Sequence, residues 1–374
     1  MAALIVRGGR VLVEGTWRMA DLPIQAGLLV EHLDEAAEVL DAQGFFVAPG
    51  YVDLQCNGGY GIDLTREPER LWELAALLPR HGVTAWLPTI VTNDDGAAGK
   101  ALATLDAGPP AGWTGAQPLG LHLEGPFLSP AKRGAHPAEL LREPTLEAIE
   151  GWSRAGGVAI VTIAPDLDGA LEVIAELTRR GVIVSLGHSP ATYAQAIAGV
   201  EAGARWVTHL FNAMAPMHHR EPGLTGAAIG DERLFVGLIP DGIHVHPTVV
   251  AGAHRACGER LTIVTDAVAA LGQPNGTYGP VTVRDGAVRL ADGTLAGSAL
   301  PMDQAVRNLH AFSECTLAAA VHAASTAPAA LLGDGTRGLL RPGNRADLVI
   351  LDDELHLVAT IVGGEVLHDD PWSR

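Results

Sequence analysis

Six side chains able to hold a metal or move a proton interrupt apolar stretches of this chain: Glu124, His188, His209, His244, His246 and Asp266. One carboxylate and two imidazoles (Glu124, His188 and His209) make a three-ligand set with a fourth position open for water, as catalytic Zn²⁺ sites are usually built. A cation there would acidify water and polarise a carbonyl oxygen. Asp266 could take the water's proton and return it to a leaving amine, general base first and general acid second. His244 could hydrogen-bond the carbonyl oxygen and stabilise the oxyanion. Near the start of the chain, Asp53, Gln55 and Asn57 share one face of an apolar run at a spacing of two. The chain has 15 histidines, so any single one reads as an ordinary exposed or hydrogen-bonded imidazole. The case rests on several of them falling at one level of one fold. Spacing alone supports a metallohydrolase and is silent on its substrate.

The elements that would bring these residues together recur with a regular rhythm. Apolar, β-rich runs at 50–57, 83–91, 119–126, 158–166, 182–189, 206–213, 234–245 and 261–268 alternate with helical stretches such as EPERLWELAALLPRHG and DGALEVIAELTRRG, which stop at Gly. Near-continuous apolar strands joined by helices indicate parallel βαβ units. Eight of them fit a TIM-like (β/α)₈ barrel, whose active site lies at the C-terminal ends of the strands. A doubly wound open sheet is the alternative, but no GxGxxG follows the first strand. Residues 1–46 read as short strands punctuated around Gly8-Gly9, and 336–374 as strands with a turn at Gly363-Gly364. Neither end suffices alone. The two are expected to pair into one small β-sandwich domain flanking a barrel of residues 47–335. VTVRDGAVRL, turning at Asp285-Gly286, reads as a hairpin inserted before a final helical stretch of about 301–332.

Composition narrows the function classes. With 48% hydrophobic and 18% charged residues, the 374-residue chain can bury a large core. Its formal charge of −18 argues against a nucleic-acid surface, though one or two local cations suffice for a single phosphate. Three scattered cysteines, no signal-like N-terminus and no long apolar run predict a reduced, cytoplasmic protein off the membrane.

Eight collinear motifs resemble the N-acetylglucosamine-6-phosphate deacetylase family of the amidohydrolase superfamily nearly end to end: GLHLEGPFL, SLGHSPATY, THLFNAMAPM, REPGLTGA, DGIHV, VTDAVAA, LAGSALPM and LLRPGNRADLVILD. Pro49-Gly50-Tyr51-Val52-Asp53 entering the first barrel strand is similar to the wider superfamily. The resemblance implies metal ligation by Glu124, His188 and His209, and catalysis by Asp266. It implies His244 at the acetyl carbonyl, and Asn212, Ala213 and Arg220 at the sugar phosphate. Ala135, His136, Leu295, Ala296 and Gly297 are its further substrate contacts. It also implies a homodimer in which a phosphate-binding residue comes from the neighbouring subunit. The expected activity is removal of acetate from N-acetylglucosamine 6-phosphate, with N-acetylgalactosamine 6-phosphate or another N-acyl substrate as the alternative. A non-catalytic barrel would have lost a ligand or the late Asp, and this chain keeps both.

Where much of the superfamily carries His-x-His on the first strand, this chain has Gln55 and Asn57. Neutral amides are poor transition-metal ligands. One divalent ion per subunit is expected, Zn²⁺ first and Fe²⁺ or Mn²⁺ as alternatives, with the two amides in support. Cys56 is expected to pack on the opposite side of the strand. His122 could orient the Glu124 carboxylate or simply fill the core. Asp53 could support the amides or cap a turn. His218, His219 and His246 are expected in solvent, as is the acidic run 31–38, with the tryptophans in core or interface.

Overall fold

The computed structural model describes residues 3–33, 36–94 and 96–369; Trp372, Asp34 and Glu35 lie outside them. Eight parallel strands follow one another in chain order: Tyr51–Cys56, Val83–Val91, Leu121–Glu124, Val158–Ile163, Ile183–Leu186, Trp206–Val207, Phe235–Leu238 and Leu261–Ile263. The ring closes where Cys56 bridges Ala267 in parallel and the Asp266 N–H donates to the Gln55 carbonyl. This is the expected (β/α)₈ barrel, and the closure rules out an open sheet. The strands read as unbroken apolar runs because helices cover one face and the barrel core the other; Tyr51–Cys56 and Val158–Ile163 are buried at every position.

Helices form where the 3.6-residue period predicts them. Ala170–Arg179 buries Ala170, Val173, Ile174 and Leu177, one stripe of its surface. The stretch 67–82 is less regular: its α-helix runs only from Leu71 to Leu77 between two short 3₁₀ turns, and the chain leaves at Gly82 with φ +75°. Pro79, which lacks an N–H, sits in the second of these turns. The final helical stretch divides into Met302–Ser313, Leu317–Ala324 and Thr326–Leu331.

The two ends of the chain share one eight-stranded sheet. Phe46–Pro49 pairs parallel with Leu4–Val13 on one side and antiparallel with Leu348–Leu351 on the other. Strands Leu357–Val362 and Glu365–Asp369 extend it, turning at Gly363 and Gly364. One face buries Val6, Val11, Ile24, Val47, Leu348 and Ile361 in a core separate from the barrel's. Gly8-Gly9 does not turn the chain, contrary to expectation. Leu4–Val13 is a single strand with a bulge there, Gly8 taking φ +70°, and the turn comes at Glu14-Gly15. Gly50 alone separates Phe46–Pro49 from the first barrel strand.

A small antiparallel sheet sits over the strand ends. It comprises Gly276–Tyr278, Val281–Arg284, Ala287–Arg289 and Leu295–Ser298. Its middle hairpin turns at Asp285-Gly286, as the sequence predicts. Val281, Val283, Val288 and Ala296 form its core, against which Ala135 packs. Ser298 ties this roof to the barrel, its N–H donating to the Asp266 carbonyl at 2.8 Å.

Candidate metal centre and active-site cavity

Glu124 ends the third barrel strand, whereas His188, His209 and Asp266 lie two or three residues beyond the fifth, sixth and eighth. All three of the latter hold left-handed backbone, with φ of +49°, +29° and +49°. That region is uncommon for side-chain-bearing residues and costs about 1–3 kcal/mol each, so the surrounding structure must enforce it. These conformations occur where the chain leaves each strand for the cavity. Gly297, at φ +63°, has no room for a side chain: a Cβ there would lie 2.8 Å from the Asp266 carbonyl oxygen. The roof strand thus packs directly on the backbone of Asp266.

Glu124 Oε1, His188 Nε2 and His209 Nε2 converge at 3.0–3.1 Å from one another, and all three side chains are buried. His188 Nδ1 donates to the Lys132 carbonyl at 3.0 Å, so its Nε2 carries the lone pair. Imidazole nitrogens facing each other and a carboxylate at this range fit a divalent cation as common partner. Burial opposes the charge on Glu124, but the two imidazoles hold its carboxyl well below the usual range.

Asp266 stands beside this cluster. Gln55 bridges the two, its Nε2 donating to Glu124 Oε1 at 3.0 Å and to Asp266 Oδ1 at 3.1 Å. Asn57 Nδ2 donates to the same Asp266 oxygen at 2.7 Å. Burial, then the charge on Glu124, raise the Asp266 carboxyl to about 6, while His209, His244 and the Asn57 bond hold it down. A single carboxyl placed beside the cluster and open to the cavity can both accept and donate a proton. Both first-strand amides give N–H groups to carboxylates, while the Gln55 Oε1 and Asn57 Oδ1 oxygens are buried without a hydrogen-bond partner.

The cavity above has a volume of about 510 Å³. Asn57, Ala135, His136, Asn212, Ala213, His244, Leu295, Ala296 and Gly297 line it with the metal set and Asp266. Gln55 is buried beneath. Arg220 is not on this wall. It lies on an exposed stretch, its Nη1 2.7 Å from His219 Nε2 and its N–H donating to His218 Nδ1. His246 is also outside the cavity and caps the helix Pro247–Cys257 by accepting from the Thr248 N–H.

The sequence does not single out Asp241 or Thr92. Asp241 Oδ2 lies 2.6 Å from His244 Nδ1, and the imidazole outweighs burial to hold that carboxyl low. This leaves His244 Nε2 for the cavity. The only sequence signal is that Asp241 opens the same DGIHV motif. Thr92 accepts from His136 Nδ1 at 2.8 Å and donates to the Glu124 carbonyl, tying a cavity residue to a ligand's backbone.

His122 fills the core: Nδ1 donates to the Leu54 carbonyl and Nε2 accepts from Thr162, with no bond to the Glu124 carboxylate. Burial keeps it neutral, lowering it to about 4. Cys56 is buried in the barrel core, as expected. Asp53 does more than cap a turn. It accepts from the Gln55 N–H and, at 2.5 Å, from the Thr265 hydroxyl, joining the first strand to the residue before Asp266. Burial outweighs these donors and raises it to about 7. Because this lies above the unfolded value of about 3.9, stability is lost as pH rises from about 4 through 7. Asp53→Asn keeps most of the contacts without that dependence. The variant's Tm relative to wild type is therefore expected to rise between pH 4.5 and 8; parallel Tm curves would refute this.

Comparison with known proteins identifies the family. The amidohydrolase family pattern matches residues 46–367. The chain is 43% identical to an N-acetylglucosamine-6-phosphate deacetylase of Rattus norvegicus, covering 97% of this chain and 93% of the relative. It is 39% identical to an N-acetylgalactosamine-6-phosphate deacetylase of Escherichia coli O157:H7, over 97% and 98%. A Mycobacterium smegmatis N-acetyl-D-glucosamine-6-phosphate deacetylase variant, solved in complex with N-acetyl-D-glucosamine-6-phosphate, superposes with a TM-score of 0.89 at 36% identity, covering 98% of this chain and all of that one. The chain belongs to the amidohydrolase family, within the group formed by the N-acetylglucosamine-6-phosphate deacetylases.

Proposed function

We propose that this protein hydrolyses the N-acetyl group of N-acetyl-D-glucosamine 6-phosphate, giving D-glucosamine 6-phosphate and acetate. The observation that carries the reading is Asp266 held by Gln55 and Asn57 beside the Glu124/His188/His209 cluster, at the floor of a cavity roofed by Leu295–Ser298. We assign the cluster one divalent ion, Zn²⁺ in the first place, which when bound supplies the positive charge that acidifies water and polarises the acyl oxygen.

The chain's own groups do the rest. Asp266 takes a proton from the attacking water, and Gln55 and Asn57 keep its carboxylate aimed. His244, its Nδ1–H given to the Asp241 carboxylate, donates from Nε2 to the acyl oxygen with the ring carrying both protons, as negative charge gathers there. Asp266 then returns the proton to the nitrogen as the C–N bond breaks, so that amine and acetate leave. The roof limits access of bulk water.

Asn212, Ala213 and Arg220 are assigned to the sugar phosphate, with Ala135, His136, Leu295, Ala296 and Gly297 along the sugar. Arg220 lies outside its own chain's cavity, which supports its acting in that of a neighbouring subunit, in a homodimer. No described helix is long and apolar enough to cross a membrane, and we assign a cytoplasmic setting. Hydrolysis of the galacto epimer is the second reading, carried by the E. coli relative's name.

The test is acetate release from both phosphorylated epimers and from unphosphorylated N-acetylglucosamine. kcat/KM is expected to be about 10²-fold higher with the phosphate than without, since the charge-assisted contacts to the phosphate are together worth roughly 3 kcal/mol. Preference for the galacto epimer would move the assignment to the second reading. No release from any of the three would refute both.

A further inference from the structure

The cavity that would receive an anionic sugar carries Asp63, Glu124 and Asp266 on its wall, in a chain of formal charge −18. A dianionic phosphate needs a local cation there. Among the described residues lining the cavity, Arg289 is the only lysine or arginine. It lies on the roof strand Ala287–Arg289, directly across the ladder from Leu295, which also lines the cavity. One N–H of its guanidinium is used: Nη1 donates to the Gly293 carbonyl at 2.7 Å, which fixes the fork within its own hairpin. Nε and Nη2 have no protein acceptor among the described residues, and no carboxylate pairs with it.

A planar cation held by one backbone bond, with two donor nitrogens unspent, suits the oxygens of a phosphate. Resting on the deacetylase reading above, we propose that Arg289 is a specificity-determining residue that binds the substrate's phosphate from within the same subunit. The roof would then do more than cover the site. It would select the phosphorylated sugar, in partnership with the Arg220 assigned to the neighbouring subunit.

The experiment compares wild type with Arg289→Ala, Arg289→Met and Arg289→Lys on N-acetylglucosamine 6-phosphate and on unphosphorylated N-acetylglucosamine. Alanine and methionine are expected to raise KM for the phosphorylated sugar about 10-fold, with kcat changed less than about 2-fold, the size of one lost partly exposed phosphate contact. Both should leave kcat/KM on the unphosphorylated sugar within about 2-fold, and lysine should recover most of the loss. Methionine keeps the aliphatic stem, so its KM effect separates lost charge from a disturbed hairpin. Equal losses on both sugars, or an unchanged KM, would overturn the assignment and leave Arg289 as a hairpin brace. A wild-type enzyme indifferent to the phosphate would instead bring down the deacetylase reading, and this assignment with it.

Discussion

Asp266→Asn is expected to lower kcat by about 10³–10⁴-fold while the protein stays folded and binds metal. The asparagine oxygen can still accept from Gln55 and Asn57, which both reach Oδ1, so the local bonds are largely kept. What is lost is a group that can take a proton and give it back. General acid–base catalysis alone is worth about 10²–10⁴-fold, and here one residue serves both steps. The diagnostic combination is a collapsed kcat, a nearly unchanged KM and a metal content equal to wild type. Near-normal turnover by the folded, metal-loaded variant would falsify the role of Asp266.

The second large effect concerns the ion. His209→Ala removes one of three converging ligand atoms and leaves Glu124 with His188 alone. Metal content after dialysis is expected to fall well below one per chain. Activity should drop by on the order of 10³-fold, because several kcal/mol of charge stabilisation leave with the ion. Chelator-treated wild type should lose activity to the same degree and recover when Zn²⁺, Fe²⁺ or Mn²⁺ is returned, whereas the variant should not recover at the same ion concentration. Wild type that keeps full activity after its metal has been stripped would contradict the assignment of Glu124, His188 and His209.

Much of this was legible in the sequence because its signals are local. Eight apolar runs separated by helical stretches read as a barrel, and polar residues closing those runs read as its site. Glu124, His188, His209 and Asp266 meet because the barrel places strand ends in one ring. Less legible were contacts that depend on where loops go. Arg220 reads as a phosphate clamp, yet the backbone places it outside its own cavity. Asp241 lies beside His244 in sequence, but only the turn brings its carboxylate to Nδ1. Arg289 sits in an ordinary-looking hairpin, and its facing the cavity follows from how Ser298 and Gly297 lock that sheet onto Asp266. The Gly8 bulge misled for a related reason: two glycines signal positive φ, which a bulge uses as readily as a turn.

The sheet made from both ends of the chain sets an order on biosynthesis. Phe46–Pro49 leaves the ribosome roughly 300 residues before its antiparallel partner Leu348–Leu351. At about 5–20 residues per second, that edge waits on the order of 15–60 s. During the interval Val6, Val11, Ile24 and Val47 lack half of the apolar layer they finally share with Leu348 and Ile361. An open edge beside exposed apolar side chains is a template for pairing with another nascent chain. None of residues 340–369 lines the active-site cavity, yet loss of that segment would show first as poor yield and aggregation.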